Sequence, residues 1–246
     1  MSLPVHLVPS LSGVGAGSAV EVSGDEAHHA VAVRRLRVGE QVVLTDGVGT
    51  SAVGVVGFTG KRVFSVTVSS VERTPEPSPA FVVVQALPKG DRGELAVELL
   101  TEVGAAGIVP WAAERSVVVW KGERAEKGLA RWRSSAREAA KQARRSWHPE
   151  VAELASTADV VALVTGADLA IVLHEEATSS LAALDVPASG RIVVVVGPEG
   201  GLADDEVAAL VDAGATSVRL GAEVLRTSTA GVAAVAALLA RTSRWG

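Results

Sequence analysis

Cysteine is absent from all 246 residues, which excludes a disulfide framework, a thiol nucleophile and any cysteine-ligated metal. Histidine is scarce, and His6, His28, His29, His148 and His174 show no spacing of a zinc-binding helix, so no metal site is expected. No apolar run reaches membrane-spanning length without polar interruption. The N-terminus also lacks a basic start followed by an apolar core and small-residue cleavage site, so a cytoplasmic protein without membrane contact is expected. Three familiar signatures are missing as well. No Gly-x-x-x-x-Gly-Lys-Ser/Thr loop supports a P-loop nucleotidase, and no Gly-x-Ser-x-Gly elbow supports a serine hydrolase. The strand over 81–86 runs into Leu87-Pro88-Lys89-Gly90-Asp91, not the Gly-x-Gly-x-x-Gly turn of a Rossmann site.

What is present is a globular composition, 48% hydrophobic and 21% charged, able to bury a sizeable core. The net charge of -5 argues against nucleic acid, but it averages over a strong asymmetry. From Lys121 to Arg145 the chain carries Lys121, Arg124, Lys127, Arg131, Arg133, Arg137, Lys141, Arg144 and Arg145, whereas the next hundred residues are mostly acidic. Such a run is either a solvated helix face or a local phosphate-binding surface.

Alternating prolines in Thr74-Pro75-Glu76-Pro77-Ser78-Pro79 cannot continue a helix or a central strand, so 75–79 reads as a linker. Residues 1–74 hold strand-like runs at 19–22, 41–45, 51–58 and 63–71, with one helix-like segment at 25–36, which suggests a small β-barrel. Residues 80–246 alternate instead: strands at 81–86, 107–111, 169–173, 191–196 and 217–220, and helices at 91–103, 123–145, 204–212 and 229–241. That order predicts an α/β domain with a mainly parallel sheet. Trp111, Trp120, Trp132 and Trp147 read as packing residues, with stacking on a base as the alternative for Trp147.

The β-branched run from Ile192 to Val196 reads as a buried parallel strand ending in the turn Gly197-Pro198-Glu199-Gly200-Gly201. Ligands of open α/β sheets bind outside such strand ends. A phosphate site would want a bare helix N-terminus, yet Glu199, Asp204, Asp205 and Glu206 crowd this one. The acids favour a neutral or cationic ligand, or simply complement the helix dipole. Further strand-end turns follow at Leu173-His174-Glu175-Glu176 and from Leu220 to Thr229, and the three together suit one pocket. Thr227 or Ser228 is expected to cap the last helix, which is apolar on every face and must be buried against the sheet, a partner subunit or both.

The ordered pair Gly197-Pro-Glu-Gly-Gly-Leu and Leu220-Gly-x-x-Val-Leu-Arg-Thr-x-Thr-Ala230 resembles the SPOUT methyltransferases, and among them the RsmE family, which makes N3-methyluridine in small-subunit ribosomal RNA. His28-His29, the run from Val33 to Glu40, Lys89-Gly90-Asp91-Arg92, Glu102-Val103-Gly104, Glu114-Arg115-Ser116 and Gln142-x-Arg144…Pro149 follow in family order over nearly the whole chain. The resemblance implies a PUA-like β-barrel followed by a trefoil-knotted, mainly parallel α/β domain, a homodimer, and S-adenosylmethionine as cofactor. It places Leu173, His174, Gly197, Pro198, Glu199, Gly200, Gly201, Leu220, Gly221, Val224, Leu225 and Arg226 around that cofactor. The chain departs from the family at Ser228, where a Glu is common, at Leu99, where a Lys is usual, and at Lys141, which replaces a Glu.

Methylation of uridine N3 needs its imino proton removed and the charge on the ring oxygens stabilised, and Arg226 is the candidate for the second task. Its alternative is a structural role, bonding loop carbonyls. Ser228 cannot act as a general base at neutral pH, so the base is not assigned. Lys89, Arg92, Arg115, Lys141, Gln142, Arg144 and Arg145 are the expected RNA contacts near the pocket, with Arg34, Arg35 and Arg37 adding grip from the barrel. Two other functions stay open: a ribose 2′-O-methyltransferase, and a non-catalytic RNA-binding protein of the same fold.

Overall fold

The computed structural model describes residues 3–245, which fall into two compact units. The first comprises the chain up to Glu76 together with Ala140–His148, and the second comprises Pro77–Ala139 and the chain from Pro149 onward.

In the first unit β1 (Val5–Leu7), β2 (Ala19–Ser23), β3 (Gln41–Thr45), β4 (Thr50–Thr59) and β5 (Val63–Arg73) form one sheet in the order β1-β3-β4-β5-β2. Strand β1 pairs parallel with β3, and the other pairs are antiparallel. Among the described residues β1 and β2 remain edges, so the expected barrel is an open, curled half-barrel. Alternate residues point inward, and Val42, Leu44, Ala52, Val56, Phe64 and Val66 make its core. The helix expected over 25–36 is shorter and irregular. Helix α1 (Gly24–His28) passes into a π-turn at His29–Val33, and Arg35 then adopts a φ of 58°, which no helix can continue.

Residues 140–148 complete this unit through two tryptophan contacts. The Trp147 indole N–H donates to the Thr74 carbonyl at 2.9 Å, and its ring lies so close to Gly49 that a Cβ there would sit 2.7 Å away. Trp147 is therefore a packing residue, and Gly49 is glycine because the ring occupies the space a side chain needs.

The second unit is a seven-stranded sheet in which every pair is parallel. Its strands are β6 (Ala80–Ala86), β7 (Gly107–Trp111), β8 (Glu150–Val151), β9 (Leu169–Leu173), β10 (Ser179–Ser180), β11 (Arg191–Val196) and β12 (Thr216–Arg219), in the order β10-β12-β9-β11-β6-β7-β8. The helices are α2 (Arg92–Val103), α3 (Glu123–Gln142), α4 (Thr157–Thr165), α5 (Asp204–Asp212) and α6 (Thr227–Leu239). One sheet face is covered by apolar residues of α2, α3 and α6, and the other by those of α4 and α5. Burial on both faces explains why Ile192 to Val196 is an unbroken apolar run. Helix α6 presses on the sheet at Gly231, where a Cβ would come within 3.2 Å of Val196 and 3.3 Å of Leu100. Beyond α6, Arg244 ties the chain end down, donating to the carbonyls of Pro79 at 3.1 Å and Gly104 at 2.9 Å while lying over the Phe81 ring. Among the described residues no helix is long and apolar enough to cross a membrane.

Candidate cofactor pocket and basic surfaces

At the carboxyl edge of the sheet, β9, β11 and β12 end side by side, and the loops that follow them line a cavity of about 580 Å³. That volume suits a ligand of cofactor size. All twelve residues expected at a cofactor border this one cavity: Leu173 and His174 from the first loop, Gly197, Pro198, Glu199, Gly200 and Gly201 from the second, and Leu220, Gly221, Val224, Leu225 and Arg226 from the third. Glu175, Glu176, Val196, Leu202, Asp204, Val218, Glu223 and Thr227 border it as well. Their adjacency to the same strand ends was the available signal for them.

Hydrogen bonds hold the loops in register. The His174 N–H donates to the Val218 carbonyl at 3.0 Å, and the Gly201 N–H closes a turn on the Pro198 carbonyl at 3.0 Å. Glu199 accepts the Lys89 N–H at 3.2 Å and pairs with Arg92 at 3.5 Å, so its carboxylate organises the turn. The expected cap of the last helix is not formed. Helix α6 begins two residues early with Arg226 at its N-cap, which leaves Thr227 and Ser228 buried inside it. The Thr227 hydroxyl instead donates to the Gly197 carbonyl and joins the second loop to the helix.

The cavity carries both signs of charge. Arg92, Arg115 and Arg226 border it together with Glu175, Glu176, Asp204 and Glu223, and Leu173, Val196, Leu202, Val218 and Leu220 supply an apolar wall. A ligand with an apolar ring, a carboxylate and a cationic centre matches this mixed lining better than a polyphosphate does. Among the described residues the Arg226 guanidinium makes no hydrogen bond or ion pair, so it is available to a ligand, and the role of bonding loop carbonyls is not the one it takes. No group of residues that would hold a metal ion occurs among the described residues.

The residues expected at RNA divide by location. Arg92 and Arg115 stand at the cavity, and Lys89 is exposed beside it. Arg34, Arg35 and Arg37 are exposed on the first unit, as are Gln142 and Arg144, with Arg145 half-buried. Lys141 is corrected. Its ammonium pairs with both Glu26 oxygens at 3.1 and 3.2 Å and its side chain is only 9% exposed, so it is an internal ion pair and not a phosphate contact. Burial alone would push the Glu26 carboxyl up, but a hydrogen bond from His6 and the Lys141 charge outweigh it and hold the group below its ordinary value.

A family model described as an RNA methyltransferase domain matches residues 74–239, and another described as an RNA methyltransferase PUA domain matches residues 22–68. The ribosomal RNA small subunit methyltransferase E of Mycobacterium bovis is 48% identical over 234 residues, covering 93% of this chain and 89% of that protein. The protein of the same name from Bacillus subtilis is 31% identical over 225 residues, 88% of each chain. Among solved structures, the ribosomal RNA small subunit methyltransferase E of Neisseria gonorrhoeae bound to S-adenosylmethionine superposes with a TM-score of 0.87 at 27% identity, over 98% of both chains. A Legionella pneumophila protein in complex with the same cofactor gives 0.90 at 26% identity, over 98% of this chain and 99% of its own.

Proposed function

The chain belongs to the ribosomal RNA small subunit methyltransferase E family, and on that premise we propose that it methylates N3 of a uridine in small-subunit (16S) ribosomal RNA. The observation that carries this reading is the convergence of three strand-end loops on one cavity of mixed charge. When bound there, S-adenosylmethionine supplies a methyl group on a sulfonium centre. Leu173, Leu220 and Leu225 provide apolar surface for an adenine ring, the second loop offers backbone N–H groups, and the bordering carboxylates suit a cationic ligand.

The chain's own contribution to the reaction is placement and charge. Once the N3 proton has left, negative charge spreads over the ring oxygens, and the unpaired Arg226 guanidinium at the cavity is the group that stabilises it. Glu199 is committed to Lys89 and Arg92 and is not assigned as the base. Arg92, Arg115 and Lys89 take RNA phosphates or bases at the cavity, and Arg34, Arg35, Arg37, Gln142, Arg144 and Arg145 take them on the first unit. The knotted path of the second unit, the domain limits near 74 and 80, a cytoplasmic site of action and a homodimer belong to the same proposal. Exposed Val117, Val119 and Val224 on the second unit support the dimer.

The purified protein, labelled cofactor and 16S RNA or small subunits test the assignment, with the product digested to nucleosides and identified by mass spectrometry. N3-methyluridine is the expected product. A ribose-methylated nucleoside, or no transfer from a cofactor that binds, would replace the assignment with one of its two rivals.

A further inference from the structure

Glu206, in the first turn of α5, is only 5% exposed, and among the described residues it makes no ion pair. A carboxylate taken out of water without a cation needs donors, and three arrive from three segments. One oxygen accepts the Glu114 N–H at 2.9 Å and the Thr157 hydroxyl at 3.1 Å, and the other accepts the Ala203 N–H at 3.3 Å. The Ala203 bond is an ordinary helix-start contact. The bond to Glu114 is not local, since it reaches 92 residues back to the strap that follows β7.

That strap carries Arg115. The Arg115 guanidinium borders the cavity and donates to the Leu202 carbonyl at 2.9 Å, one residue before Ala203. Its backbone lies against the glycine turn so closely that a Cβ on Gly200 would come within 3.1 Å of the Arg115 carbonyl oxygen. Strap and turn thus meet at three points, and Glu206 is the buried one.

We propose that Glu206 is a positioning residue, which fixes the strap against the glycine turn and so holds Arg115 at the rim of the cofactor cavity. This rests on the methyltransferase assignment above. Glutamine at this position keeps one carbonyl oxygen for the Glu114 N–H and the Thr157 hydroxyl, and loses only the Ala203 acceptor. Alanine loses all three.

The experiment measures S-adenosylmethionine affinity by calorimetry, and kcat and KM for RNA, in the full-length protein and in Glu206→Ala, Glu206→Gln, Arg115→Ala and the Glu206→Ala/Arg115→Ala double variant. Far-ultraviolet circular dichroism and Tm establish that each variant is folded. Expected is a fall of about tenfold in kcat/KM for Glu206→Ala, with Glu206→Gln restoring it to within about threefold. In the Arg115→Ala background, Glu206→Ala should cost less than about threefold more. If glutamine is as poor as alanine, Glu206 is only a helix cap, and if the two losses multiply, it does not act through Arg115. Either result overturns the proposal. Absence of cofactor binding in the unaltered protein would instead overturn the methyltransferase assignment on which it rests.

Discussion

Two residues at the cavity act differently, and substitutions should separate them. Arg226 has no partner among the described residues, so its removal leaves nothing behind unsatisfied. Arg226→Ala should fold normally and keep cofactor affinity within a few-fold, while single-turnover methylation falls by about 10²–10³, the usual cost of one charge-stabilising donor. Near-normal transfer in a folded, cofactor-binding variant would remove Arg226 from the chemistry. Thr227 is the opposite case. Its hydroxyl is the donor that holds the Gly197 carbonyl, so Thr227→Val strands a polar group at the root of the glycine turn. A cost of about 1–3 kcal/mol in chemical denaturation is expected, together with weaker cofactor binding. Unchanged cofactor affinity would mean that the turn holds its shape without the helix.

Among the elements, the end of α3 shows what a sequence conceals. As a run of basic residues it reads as a solvated face or a phosphate-binding surface, yet Lys141 turns inward to Glu26, 115 residues away in the chain. No periodicity announces such a partner. Lys141→Met strands the Glu26 charge in a site where its side chain is 18% exposed, and the first unit should lose about 3 kcal/mol, as other broken buried pairs do. The pH dependence has a definite sign. Because the folded Glu26 carboxyl lies below its ordinary value of 4.5, the pair's contribution is complete above that pH and is lost as pH falls through the folded value. Acid denaturation of Glu26→Gln followed by circular dichroism should therefore show a flatter decline below pH 4.5 than the unaltered chain.

Other elements were open to a reader of the sequence in proportion to their length and regularity. The strand β11 was legible because burial on both faces leaves only β-branched residues from Ile192 to Val196. The two-residue strands β8 and β10 are too short for any pattern, and β1 scarcely exceeds them. Helix α4 lies outside the helices expected from the sequence, although its start carries a full capping box, Ser156 with Asp159, which is a readable signal. The three loops of the cavity were legible for a separate reason. Each is a glycine- or acid-rich turn after a strand, an apolar one in the case of β9 and β11, and a parallel sheet brings such turns to one edge. Glu206 was visible only as one acid among several, because its role depends on Glu114 and Thr157, which a linear reading does not place beside it.

For the molecule as a whole, the decisive tension is between a net charge of -5 and an RNA substrate. Net charge repels a polyanion at long range, but at physiological ionic strength that field is screened within about 8 Å. Attraction must then come from local groups that touch phosphates, and Arg34, Arg35 and Arg37 are three exposed cations within one short stretch of the first unit. Each phosphate they neutralise releases a counterion, so log affinity for RNA should fall linearly with log salt, by about 0.7 per phosphate on single strands and 0.9 on duplex. Replacing all three by alanine should flatten that slope by about 2 to 3 units for three phosphates lost, and weaken binding most at low salt. Cofactor affinity measured without RNA should not change, because these arginines belong to the first unit and the cavity to the second. Filter binding of 16S RNA fragments across a salt series reads the slope directly. An unchanged slope in the triple variant would show that the arginines of the first unit do not touch RNA, and would leave the grip to Lys89, Arg92 and Arg115 at the cavity.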